Sequence, residues 1–125
     1  MKKILIVDDC PETRELIRFT LTQQNYEVIE AGDGEEALTK ISAEHPDLII
    51  LDIIMPRLDG YTLAEKLKEN KKIAKIPIII STFKFKLKSV FELNKISQVK
   101  DFIEKPFLPE HLVEKVKNIL DNETE

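Results

Sequence analysis

The stretch that decides the fold is Asp47-Leu48-Ile49-Ile50-Leu51-Asp52, which continues as Ile53-Ile54-Met55-Pro56-Arg57-Leu58-Asp59-Gly60. An aliphatic run of this length, bounded by turn-forming residues, is typical of a strand that is buried on both faces. The run ends at a carboxylate. Because open α/β sheets place their functional groups at the carboxyl ends of buried parallel strands, Asp52 is the first candidate functional residue.

Strand patterns and helix patterns alternate along the rest of the chain. Strands are predicted at 3–8, 26–30, 47–52, 77–82 and 101–104, and helices at 11–24, from the capping-box sequence at 33–36, at 61–69, at 87–97 and from 109 onward. Five such repeats with short connections predict an α/β fold, a parallel sheet of order 2-1-3-4-5 between two layers of helices. Residues 3–121 are expected to form one domain, and residues 122–125 a polar tail.

This strand order brings three carboxylates to one edge of the sheet. Asp8 and Asp9 follow the first strand and Asp52 ends the third, its neighbour. Such carboxylates repel one another unless a cation lies among them, and oxygen ligands without nearby histidine or cysteine favour Mg²⁺, a metal suited to phosphoryl transfer. Thr82 after strand four and Lys105 after strand five are expected at the same edge, as partners for phosphoryl oxygens.

These segments resemble, in order and spacing, receiver domains of two-component response regulators. The matching residues are 6–9, 47–52, 55–56, 59–60, 77–82 and 105–107. The resemblance implies a flavodoxin-like (βα)5 three-layer sandwich, in which Asp52 accepts a phosphoryl group from a sensor histidine kinase or a histidine phosphotransfer protein. It also implies a Mg²⁺ site formed by Asp8, Asp9, Asp52 and the backbone carbonyl of Ile54. By the same resemblance, Thr82 and Lys105 hold the phosphoryl group and the aromatic Phe102 moves inward with Thr82.

Signalling rather than enzymatic turnover is the activity that the resemblance implies. Phosphorylation would switch a surface made of helix four, strand five and helix five, which signals to a downstream protein target or to an output domain missing from this sequence. The chain would catalyse only its own phosphorylation and slow dephosphorylation. A monomer, or a weak phosphorylation-dependent dimer, is expected.

Phe83 and residues 97–100 depart from the family pattern, and Ile54 and Lys84 stand at two positions where family members vary. Phe83 replaces a small residue, so its ring is expected to cover the phosphoryl site and to restrict small donors or water. Ile54 and Lys84 border the attacking water, and because an aliphatic Ile54 cannot position that water, we expect a longer-lived acyl phosphate. Residues 97–100, Ser-Gln-Val-Lys, lack the usual Gly-Ala pair, so the exit of helix four is expected to be unusual.

Composition limits the class of protein. The formal net charge of −4 gives no basic footprint for nucleic acid. A single cysteine, Cys10, excludes an internal disulfide and fits a reducing compartment, and the neighbouring carboxylate is expected to raise its thiol pKa. Asp8-Asp9 ends the first apolar run too early for a signal peptide or a membrane span, so the expected location is the cytoplasm.

Several alternatives remain open at this stage. The chain is either a free-standing receiver or the excised N-terminal receiver of a longer regulator. A degenerate receiver that acts as a phosphorylation-independent interaction module is disfavoured, although Phe83 keeps it open. A phosphohydrolase would need an acid where Ile54 stands, and a flavodoxin-like electron carrier would need a phosphate-binding loop where Asp8 and Asp9 stand. Ser81 replaces Thr82 as the candidate hydroxyl if strand four is shifted by one residue.

Overall fold

Five strands and five helices alternate in the computed structural model, which describes residues 1–53, 60–70, 73–83 and 87–122. Their bounds are β1 Lys3–Val7, α1 Pro11–Thr22, β2 Glu27–Ala31, α2 Gly34–Glu44, β3 Leu48–Leu51, α3 Gly60–Lys68, β4 Ile78–Thr82, α4 Leu87–Asn94, β5 Val99–Glu104 and α5 Pro109–Asn122. All pairings are parallel and the sheet order is β2-β1-β3-β4-β5, which confirms the predicted order.

The sheet is covered on both faces, which explains why β3, at its centre, is aliphatic at every position. On β3, Ile49 and Leu51 pack with residues of α2, α3 and α4, whereas Leu48 and Ile50 pack with residues of α1 and α5. The period-two alternation of side chains therefore divides the core into two layers. Helix residues of the first layer are Ala37, Ile41, Leu63, Ala64, Leu67 and Leu93, and those of the second are Ile17, Leu21, Leu112, Val116 and Leu120.

The exit of helix four differs from the prediction. Helix α4 ends at Asn94 rather than at residue 97, and β5 begins at Val99, two residues earlier than expected. Gln98 lies between them, buried, and its Nε2 donates to the carbonyls of Ile73 (3.1 Å) and Ile76 (2.9 Å). The side chain that replaces a small residue thus ties the turn before β4 to the start of β5.

The predicted bounds of α1 (11–24) and α3 (61–69) lie within two residues of the observed ones, the usual uncertainty of such boundaries, and α5 begins at Pro109 as predicted. The predicted capping box forms in part: the Asp33 carboxylate accepts from the Glu36 amide (2.8 Å), but the Glu36 carboxylate accepts from the amide of Gly32 (3.2 Å) rather than from that of Asp33. Helix α5 extends to Asn122, the first residue of the predicted tail, and residues 123–125 lie outside the described part. Among the described helices, none combines the length and apolar character that crossing a membrane requires.

Candidate functional site

The acidic residues meet because β1 and β3 end level with each other. Val7 is in register with Leu51, so Asp8 and Asp52 each follow a paired position, and the Asp52 amide donates to the Val7 carbonyl (2.9 Å). Asp8 and Asp52 are buried and Asp9 is exposed. Carboxylate oxygens from the three residues lie within 4.8 Å of one another, so the predicted juxtaposition is present.

Lys105 reaches into this cluster from the end of β5. Its amide donates to the Thr82 carbonyl (2.8 Å), and the peptide bond to Pro106 is cis. Its Nζ donates to Asp8 Oδ2 and, at 3.0 Å, to Asp52 Oδ2. Burial of the ammonium lowers the pKa of Lys105, but the hydrogen bonds and charges of the two carboxylates outweigh burial and hold the pKa above its usual value. Lys105 is therefore the counter-ion of both buried carboxylates, a role that the sequence reasoning did not assign to it.

The donor set suits a hard divalent cation. Asp8, Asp9 and Asp52 supply oxygen atoms only, and the exposure of Asp9 leaves one side open for water. Mg²⁺ prefers this combination, since it is bound through a few carboxylates and keeps several waters. The Ile54 carbonyl, proposed from the family pattern as a further ligand, lies outside the described residues, as does Lys84.

Thr82 and Ser81 are both buried near this edge, but they face opposite layers. Ile80 packs in the first core layer, and Thr82, two residues further along the strand, faces the same layer. Ser81 lies between them and therefore faces the second layer. Phe102 pairs with Ile80 and packs, partly buried, against that first layer. Neither hydroxyl has a hydrogen-bond partner among the described residues. Thr82 and Phe102 therefore share one face of the sheet, beside Lys105.

Phe83 lies next to the cluster and is 64% exposed. The centroid of its ring is 5.1 Å from Lys105 Nζ, within the range of a cation–π contact. The two side chains border a cavity of about 130 Å³, whose other lining residues are Thr13, Leu16, Pro106 and Phe107.

Two residues next to the acidic pair behave differently from the sequence-based expectation. Hydrogen bonds from Thr13 lower the pKa of the Cys10 thiol, so the predicted upward shift is wrong in sign. Arg14 was not a candidate, yet its guanidinium donates to the Asp8 carbonyl (2.5 Å). Its position gave a signal: a cation in the first turn of a helix is disfavoured by the helix dipole and calls for a specific partner.

Comparisons with known proteins agree with this geometry. The family model of the response regulator receiver domain matches residues 4–117. The alkaline phosphatase synthesis transcriptional regulatory protein PhoP of Bacillus subtilis is 39% identical over 123 residues, covering 95% of this chain and 48% of PhoP. The probable transcriptional regulator ycf27 of Cyanophora paradoxa is 40% identical over the same shares. The chain thus spans about half the length of these relatives.

Two of the matching solved structures are covered over nearly their whole length. A two-component response regulator from Clostridium difficile superposes with a TM-score of 0.91 at 30% identity, covering 100% of each chain. The chemotaxis protein CheY4 of Vibrio cholerae superposes with a TM-score of 0.88 at 30% identity, over 94% of this chain and 98% of CheY4. Together with the matched family model, these similarities show that the chain belongs to the response regulator receiver domains, and that the flavodoxin-like fold expected from the resemblance is correct.

Proposed function

We propose that Asp52 is the phosphoacceptor of this receiver domain and takes its phosphoryl group from a sensor histidine kinase or a histidine phosphotransfer protein. One observation carries the proposal: the buried Asp52 carboxylate lies within 4.8 Å of two further carboxylate oxygens and 3.0 Å from the Lys105 ammonium. A carboxylate among cations is the nucleophile that phosphoryl transfer through an acyl phosphate requires.

In the proposed reaction, an Asp52 oxygen attacks the phosphorus of phosphohistidine in line. The O–P bond forms as the P–N bond breaks, and the imidazole leaves with its electron pair and takes a proton from solvent. Mg²⁺, held by Asp8, Asp9, Asp52 and the Ile54 carbonyl, would neutralise charge on the transferring group. Lys105 provides a second cation, and the Thr82 hydroxyl donates to an oxygen of the new acyl phosphate.

The proposed signalling response relies on Thr82 and Phe102, which lie on the same face of the sheet. Capture of the phosphoryl group by Thr82 would bias β4, α4 and β5 between two packings, with Phe102 moving inward as Thr82 moves. The surface of α4, β5 and α5 would then signal to a downstream protein target, or to an output domain in a longer regulator such as the transcriptional regulators to which the chain is similar. We propose a cytoplasmic signalling protein, monomeric or weakly dimeric when phosphorylated, that makes no direct contact with nucleic acid.

The central test is the intact mass after incubation with phosphoramidate or a phosphorylated kinase in the presence of Mg²⁺. The wild-type protein is expected to gain one phosphate, and Asp52→Asn none, because an amide cannot form the acyl phosphate. Omission of Mg²⁺ is expected to slow the wild-type reaction strongly. A phosphate on Asp52→Asn, or none on the wild type from either donor, would contradict the assignment.

Phe83 is expected to limit phosphorylation by small donors. An anionic donor competes with the Phe83 ring for Lys105, and a cation–π contact is worth about 0.5–1 kcal/mol, or about a two- to fivefold factor in rate. Phe83→Ala is therefore expected to accelerate phosphorylation by phosphoramidate by that factor, measured as the rate of the mass gain.

Phe91→Ala is the matched control for this experiment. Phe91 is also 64% exposed and has Lys95 Nζ 4.9 Å from its ring centroid, but it lies on α4, and its removal should leave the rate unchanged. An equal acceleration in both variants, or none in Phe83→Ala, would show that the ring at position 83 does not control access.

A further inference from the structure

Arg14 fixes the peptide group that joins the two acidic residues of β1. Its Nη1 donates to the carbonyl of Asp8, the oxygen that lies between Asp8 and Asp9 in the backbone. The Asp8 amide donates to the Ala31 carbonyl (3.1 Å), and Asp8 Oδ1 accepts from the Cys10 amide (2.9 Å). The Arg14 contact thus adds a side chain of α1 to the groups that hold Asp8 and its peptide bond to Asp9.

The guanidinium is itself held in place from the opposite side. Arg14 Nε donates to Glu30 Oε1 on β2 (3.1 Å), and the Arg14 side chain is only 19% exposed. A planar guanidinium can bond two partners in fixed directions at once, which a lysine ammonium does not enforce. Glu30 also pairs with Arg18 at 3.2 Å, but the Arg18 side chain is 53% exposed, and within the described part of the chain it makes no hydrogen bond to Asp8 or Asp9. Arg14 and Arg18 thus share a carboxylate but differ in their contact with Asp8.

We infer that Arg14 is a positioning residue of the metal site: it orients the Asp8–Asp9 peptide so that both carboxylates can bind one divalent cation together with Asp52. This inference rests on the proposed function, since it concerns the same acidic cluster. Partners that orient metal ligands from outside the coordination sphere typically change metal affinity by about 10- to 100-fold when they are removed.

A role as a simple charge and a role as a positioning residue predict opposite changes in Mg²⁺ affinity when Arg14 is removed. As a simple cation near three carboxylates, Arg14 would repel Mg²⁺, and its removal would tighten binding. As a positioning residue, its removal frees the Asp8–Asp9 peptide and weakens binding. Glu30 offsets the charge of the guanidinium, so the positioning effect is expected to dominate.

The test is calorimetric titration of the unphosphorylated protein with Mg²⁺ at constant ionic strength. Arg14→Met keeps the apolar stem but removes the donors, and it is expected to weaken Mg²⁺ binding about tenfold. Arg18→Met is the matched control and is expected to stay within about twofold, since an exposed charge is screened. Arg14→Lys keeps the charge without the fixed two-point contact, so its affinity is expected to lie between those of the wild type and Arg14→Met. If Arg14→Met does not fold, a loss of affinity in Arg14→Lys relative to the wild type still tests the inference.

The remaining outcomes distinguish a failure of the Arg14 inference from a failure of the proposed metal site. Binding as tight as wild type, or tighter, in Arg14→Met or Arg14→Lys overturns the inference, as does an equal loss in Arg18→Met. If the wild type itself binds no Mg²⁺, or if Asp9→Asn binds it as tightly as the wild type, the proposed metal site fails instead. Circular dichroism of each variant at the titration temperature confirms that a loss of affinity is not a loss of folding.

Discussion

Lys105→Met is expected to lower the free energy of unfolding of the metal-free protein by about 3–5 kcal/mol, the usual cost of removing one partner of a buried ion network. Lys105 is 5% exposed and is bonded to both Asp8 and Asp52, which are 2% and 6% exposed. Methionine preserves most of the side-chain volume, so the loss measures the two carboxylates left without their cation rather than a cavity. Urea unfolding in the presence of a chelator gives the value.

Mg²⁺ should restore a large part of this loss. In the wild type, Mg²⁺ at the proposed site would have to compete with the Lys105 ammonium for the carboxylates of Asp8 and Asp52, so removing the ammonium is expected to tighten Mg²⁺ binding. A ligand that binds only the folded state raises stability in proportion to the logarithm of its concentration over Kd. The difference between variant and wild type should therefore shrink as Mg²⁺ is added.

Lys115→Met controls for the loss of a lysine in general. Lys115 Nζ also lies 3.0 Å from an aspartate, Asp101, but the two side chains are 32% and 36% exposed, and such pairs contribute about 0–1 kcal/mol. If Lys105→Met were as mild as Lys115→Met, or if Mg²⁺ widened the difference, Lys105 would not be the counter-ion of the cluster.

The sequence predicts the fold well where one physical cause dominates. The buried run at Leu48–Leu51, the Asp33 cap and the acidic ends of β1 and β3 each follow from local patterns, and the sheet order aligns them. The same reasoning brought Asp8, Asp9, Asp52, Thr82 and Lys105 to one edge.

Contacts between side chains distant in the sequence were not predictable in this way. Lys105 binds both Asp8 and Asp52, and Arg14 contacts the Asp8 carbonyl. Both contacts depend on how β5 and α1 pack against β1, which the periodicity of the sequence does not encode. The sign of the Cys10 pKa shift depends on Thr13, one helical turn away, and not on the adjacent carboxylate. Gln98, directly before β5, donates to two carbonyls of the turn before β4, a contact that no local pattern shows.

Thr82→Val is expected to separate phosphorylation from its structural consequence. The Thr82 hydroxyl is buried, with no hydrogen-bond partner among the described residues, and leaving such a group unpaired costs about 1–3 kcal/mol. Valine has nearly the same shape, so the unphosphorylated protein should gain roughly 1 kcal/mol of stability. The phosphorylated variant is instead expected to lack the proposed hydrogen bond between Thr82 and the charged phosphoryl group, worth about 1.5–3 kcal/mol, or about ten- to a hundredfold in the two-state equilibrium.

The measurement is the amide NMR spectrum of α4 and β5 before and after phosphorylation, with the intact mass confirming that each protein carries one phosphate. Phosphorylated wild type should shift these resonances, and phosphorylated Thr82→Val should shift them little. Ser81→Ala is the matched control: its hydroxyl is equally buried and equally without a partner in the described chain, but it faces the layer of α1 and α5. Ser81→Ala should therefore be stabilised like Thr82→Val yet keep the full response. A full response in Thr82→Val, or its loss in Ser81→Ala, would place the phosphoryl-binding hydroxyl elsewhere, because only a side chain on the face of Phe102 couples to α4 as proposed.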